Sequence, residues 1–121
     1  MRELEKLEQD YERYLWELRK LEDSHDENRK AYRKIEQEET DFDAVNQELN
    51  MMINDMQGHW KGDVFYREIG ILEEDVADSC RGIRESLTER KEELDRQIKE
   101  FSPKEEDCRA ELCRIKLRME E

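Results

Sequence analysis

The side chains best able to do chemistry in this chain are His25 and His59, the thiols of Cys80, Cys108 and Cys113, and 35 aspartates and glutamates. A nucleophile needs a base at hand to activate it, and a metal needs donors gathered at short spacings. Neither pattern is present. There is no C-x-x-C, no H-E-x-x-H, no glycine-rich phosphate loop and no nucleophile elbow. An odd set of cysteines with no histidine beside it predicts free thiols in a reducing compartment, not zinc or a disulfide framework. The carboxylates are spread along the chain and not collected in a pocket that could shift their pKa values. The expectation is a protein that is not an enzyme, with no catalytic residue, metal ligand or cofactor.

Composition points the same way. The 121 residues are 47% charged and 35% hydrophobic, with one proline and four glycines. So little apolar surface cannot build a thick core, but it suffices for long helices that bury one narrow stripe. A net charge of −13 disfavours nucleic acid and anionic membranes, both of which attract basic patches. No apolar run approaches a signal-peptide core or a membrane span, so direct membrane insertion is not expected.

The elements that must position these side chains follow from a seven-residue repeat. In the first half its seam positions run Leu4, Leu7, Tyr11, Tyr14, Leu18, Leu21, His25, Asn28, Tyr32, Ile35, Glu39, Phe42, Asn46, Leu49, Ile53 and Met56. All are apolar or aromatic except His25, Asn28, Glu39 and Asn46. Polar seam residues can fix register and partner choice, or they can mark places where the stripe drifts or solvent enters. The second half repeats less regularly through Phe65, Ile69, Leu72, Val76, Cys80, Ile83, Leu87, Lys91, Leu94, Ile98, Phe101, Glu105, Cys108, Leu112, Ile115 and Met119. Four-residue steps near Val76 and Leu87 are stutters that locally unwind a supercoil.

Between the halves, Gly58 can end the first helix in a left-handed conformation, and Asp63 can cap the second by accepting free backbone N–H groups. The predicted fold is therefore all-α: an elongated, coiled-coil-like antiparallel hairpin forming a single domain over 1–121. Its helices cover about 2–57 and 64–120, with a turn at about 58–63. Ser102-Pro103-Lys104-Glu105 reads as a capping box with proline at the first helical position. It predicts either a kink near 101–103 or a short third helical segment after Pro103.

Two thin helices of this composition should gain stability from a partner. The expected partner surface comprises Leu18, Leu21, Tyr32, Ile35, Phe42, Leu49, Ile53 and Met56 of the first helix, with Phe65, Ile69, Leu72, Val76, Ile83, Leu87 and Leu94 of the second. Trp16 lies off the main seam, where it either anchors a second interface or widens the core stripe. From Ile35 to Trp60 there is no lysine or arginine, while Glu36, Glu38, Glu39, Asp41, Asp43, Glu48 and Asp55 are all acidic. Such a run is either a solvated face or a surface that steers a basic partner helix.

Trp60, Lys61 and Gly62 stand at the midpoint, preceded in phase by Leu49, Ile53 and Met56 and followed by Val64, Phe65 and Ile69. This arrangement resembles the W-x-G helical hairpins of the ESAT-like superfamily, which serve bacterial type VII secretion. The resemblance implies that Trp60 packs at the base of the hairpin and that Gly62 permits the tight turn, with Gly58 and Asp63 flanking it. Members of that superfamily that carry the export signal have Y-x-x-x-D/E after the second helix. Here Tyr66 is followed by Gly70, and Tyr32 with Glu36 lies in the wrong helix.

The chain is thus most similar to the small Lap partner proteins of LXG toxins. That similarity implies a non-enzymatic targeting factor or chaperone that binds the N-terminal helical domain of a secreted LXG toxin. A second small helical subunit carrying the export motif is a further implied partner. The implied location is the bacterial cytoplasm, or export together with the cargo and without a signal peptide. A structural coiled-coil spacer and an acidic immunity protein that neutralises a basic toxin are the rival readings.

Overall fold

Each apolar stripe becomes one helix. In the computed structural model, which describes residues 2–59 and 62–121, α1 spans Arg2–His59 and α2 spans Asp63–Glu120. Leucine, glutamate, lysine and arginine dominate both stretches and are strong helix formers. Glu3 and Glu5 in the first turn of α1, and Asp63 in the first turn of α2, place negative charge where the helix dipole is positive. A stretch of α1 packs antiparallel on a stretch of α2, which makes the chain an all-α two-helix hairpin.

The turn differs in detail from expectation. Gly58 lies inside α1 and does not end it, and the one positive φ among the described residues, 139°, belongs to Gly62. A side chain rarely adopts that conformation, so glycine suits the position although nothing crowds it. The Gly62 carbonyl accepts the Tyr66 N–H at 3.0 Å, so Gly62 takes the capping position and Asp63 becomes the first helical residue. Trp60, on which the expected packing at the hairpin base rests, lies outside the described residues.

The helix also continues through Pro103, so no separate third helix begins there. Proline removes a backbone donor and crowds the preceding turn, but Pro103 is exposed and its neighbours hold the helix in phase. Phe101 on one side stacks on His25, with ring centroids 5.3 Å apart. Glu105 on the other side bonds to the same imidazole. That bond also uses the glutamate that a capping box would have turned back on Ser102.

Packing divides the chain into two units. The terminal unit combines Met1–Tyr32 with Glu93–Glu121, and the central unit is Arg33–Glu92. In the terminal unit Leu18, Cys108 and Ile115 are buried together with His25 and Glu105. In the central unit the buried side chains are Ile35, Ile53, Ile69 and Leu87.

Candidate functional site

Every polar exception in the first seam meets a polar group of α2. In the terminal unit His25 Nδ1 donates to Glu105 Oε1 at 2.8 Å, and Asn28 Nδ2 donates to Gln97 Oε1 at 3.1 Å. In the central unit Lys91 Nζ lies 3.0 Å from Glu39 Oε1, and Cys80 Sγ donates to Asn46 Oδ1 at 3.1 Å. Three of the four partners, Cys80, Lys91 and Glu105, are themselves positions of the second seam. A slip of either helix would leave these groups buried against apolar neighbours, so the pairs fix the register of the hairpin. Each polar seam residue thus has a polar partner within the chain.

The His25 layer is the most enclosed part of the molecule that carries ionisable groups. His25 and Glu105 are only 5% and 6% exposed. The second Glu105 oxygen faces Arg109 Nη2 at 3.8 Å, and Arg109 also reaches Glu22 at 3.4 Å. Nε2 of His25 is buried without a hydrogen-bond partner. Asp23, Asp26 and Arg29 rim the shallow depression above the pair. An imidazole and a carboxylate at bonding distance could exchange a proton, and the other side chains of the depression are the charged groups of Glu22, Asp23, Asp26, Arg29 and Arg109. Among the described residues no group of three or more histidine, cysteine, aspartate or glutamate side chains could hold a metal ion.

Cys108 is buried in the same unit, and its thiol is pushed above its ordinary range by desolvation first and then by the negative charge of Glu17 and Asp107. It behaves as a small apolar side chain. Cys80 is half-buried and Cys113 exposed, and all three thiols are free. On the solvent face Glu93 is held below its ordinary range by hydrogen bonds from Arg96 and then Gln97. Asp95 raises Lys99 in the same way, both in the solvent-screened setting where such pairs contribute little.

The expected partner residues divide into three groups. Leu18, Ile35, Ile53, Ile69 and Leu87 are buried in the hairpin's own seam. Leu21, Tyr32, Phe42, Leu49, Phe65, Val76 and Leu94 are half-buried. Met56, Leu72 and Ile83 remain exposed. Trp16 is 62% exposed, with the Lys20 ammonium 4.9 Å from its ring centroid, so it covers no part of the chain's core.

Periodicity alone did not mark Val45, Met51, Met52, Val64, Tyr66 and Ile71, which are also exposed. They lie beside the seam and not on it. Among the described residues nine of the twelve exposed large apolar side chains therefore belong to the central unit; the terminal unit has Leu4, Trp16 and Leu117. The central unit also has an open groove of about 1050 Å³ along one side of its seam, lined by Asn46, Asn50, Asn54, Val76, Ala77 and Cys80 among others. Short polar side chains on α1 leave this space unfilled.

The acidic run of α1 lies in the same unit and is partly answered by α2. Arg90 reaches Glu38 at 3.4 Å, Lys91 reaches Glu39 at 3.0 Å, and Arg84 reaches Asp43 at 3.5 Å. Arg84 also stands over the Phe42 ring, 5.7 Å from its centroid. These contacts cover the acids nearest the seam. Among the described helices none is long and apolar enough to cross a membrane.

No curated protein and no solved structure matches the chain. A family model does match, over residues 2–115, and it is described as "Protein of unknown function (DUF3958)". With nearly the whole two-helix hairpin inside that match, the chain belongs to the DUF3958 family.

Proposed function

We propose that this protein is a non-enzymatic targeting factor or chaperone that binds the N-terminal helical domain of a type VII-secreted LXG toxin and helps deliver it for export. The observation that carries the reading is incomplete burial. Large apolar side chains such as Met51, Met52, Val64 and Ile71 are left in water although the register of the hairpin is fixed. A helical partner would cover them, and each protein would shield apolar faces of the other. The W-x-G resemblance supplies the class of partner, and Gly62 at the turn fits it.

In this reading the export signal comes from the cargo or from a second small helical subunit. Binding in the bacterial cytoplasm then precedes export, and the protein either stays behind or leaves with the cargo.

Co-expression with a candidate toxin, followed by affinity capture using its separate domains, tests this reading. Capture of the N-terminal helical domain, with a rise in the melting temperature of both proteins, is the expected result. Recovery of a homodimer alone would return the protein to a structural spacer. Capture of the toxin's active domain instead would make it an immunity protein.

A further inference from the structure

The acids of the central unit form two populations. Glu38, Glu39 and Asp43 are turned to cations of α2. Asp41, Glu48 and Asp55 recur every seven residues along α1, and Glu68 and Asp75 repeat the interval along α2. Among the described residues no lysine or arginine pairs with any of these five; Asp41 accepts only from Gln37, at 2.9 Å. At 3.6 residues per turn, each set forms a straight rail on the side of the seam away from the groove.

Between each rail and the seam stand exposed apolar side chains, Val45, Met52 and Met56 on α1 and Leu72 and Ile83 on α2, with the small Ser79 one repeat beyond Leu72. The cross-helix pairs Asp43–Arg84 and Gln57–Glu73 set the register that brings Val45 level with Ile83 and Met56 level with Leu72. The result is an apolar strip between two acidic rails. From Asp63 to Cys80 the only cation in the sequence is Arg67, and Arg90 on this side is already held by Glu38.

We infer that this face docks an amphipathic helix whose apolar stripe is flanked by lysines and arginines. The inference rests on the partner-binding function proposed above and names the face and the chemistry of the partner. Apolar contact supplies the attraction, while the rails steer approach and fix orientation. A second copy docking through this same face would bring acidic rails against acidic rails, which like-charge repulsion opposes.

The test is fluorescence anisotropy of the full chain with a labelled helical peptide. The peptide carries leucines at the seam positions of a seven-residue repeat with lysines on both flanks, and a twin carries glutamates in place of the lysines. The lysine peptide should bind, more weakly as salt rises, and the glutamate peptide should not. The triple variant D41K/E48K/D55K, checked for helicity by circular dichroism, should bind the lysine peptide roughly tenfold less tightly. The matched variant E12K/E27K/E106K, in exposed positions of the terminal unit, should bind unchanged.

Equal binding of the two peptides, or equal loss in both triple variants, overturns the inference. So does a wild-type dimer in sedimentation that D41K/E48K/D55K converts to monomer. If D41K/E48K/D55K captures the toxin's helical domain as well as the wild type does, the docking face is wrong and the targeting function stands. If the lysine peptide binds through the rails while no toxin domain is captured, the face stands and the targeting function falls.

Discussion

The terminal and central units use the same two helices to different ends. In the terminal unit Leu18, Cys108 and Ile115 are buried along with a hydrogen-bonded His25–Glu105 pair, and Tyr11, Tyr14, Phe101 and Leu112 fill the rest of the seam as half-buried side chains. In the central unit Asn50 and Asn54 line a groove, and valine, methionine and isoleucine side chains stand in water on the other side. Both units have their register fixed by polar pairs, so the difference is not one of alignment. A hairpin can be specified in register yet underfilled, and the underfilled part is where a partner has something to gain.

The largest effect separating the units should come from His25→Leu. It leaves the Glu105 carboxylate buried without its donor and should destabilise the chain by about 3 kcal/mol in urea unfolding. The double variant H25L/E105L, which removes both polar groups, should recover most of that loss. A neutral single variant would break the claim that this pair holds the terminal unit. Truncating an exposed apolar side chain of the central unit should do far less. Leu72→Ala, at a position 39% exposed, should change stability by about 0.5 kcal/mol or less, and a loss comparable to that of His25→Leu would mean the central unit is as well filled as the terminal one.

Hydrogen exchange sharpens the same contrast without mutation. Amides of the terminal unit should exchange more slowly than those of the central unit, because local opening is easier where few apolar contacts are buried. Uniform protection would erase the distinction.

The smallest effect concerns the thiols. Alkylation should label exposed Cys113 first, Cys80 next and Cys108 last, because the thiolate is the reactive form and burial pushes the Cys108 thiol upward. A thiol raised in the folded state stabilises the fold below its ordinary titration range, and that contribution is lost as the pH rises through the folded value. Early labelling of Cys108 at neutral pH would show that the terminal seam opens readily.

Much of this was legible from spacing. The seven-residue steps located both helices and named the seam, and the four polar exceptions stood out as residues. Their pairing did not, because matching His25 to Glu105 or Asn46 to Cys80 requires the register across the turn, and an error of a few residues there shifts every pair. The end of the first helix was misread at Gly58 because a glycine can stay helical when the next one, Gly62, takes the positive φ. At Pro103 the continuing helix was one of two readings, and the third-segment alternative falls because the local signal for a helix start is overridden by contacts of Phe101 and Glu105 with a residue far away in sequence. The exposed side chains Val45, Met52 and Ile71 are not legible in the seven-residue spacing, because they lie beside the buried stripe and not on it.

The polar pairs also impose an order in time. A ribosome delivers Asn46 and Cys80 34 residues apart, but His25 and Glu105 80 residues apart. At ordinary elongation speeds His25 is made on the order of 4–16 s before the carboxylate it binds. Every residue of the central unit is therefore in the chain before the segment that completes the terminal unit has been made.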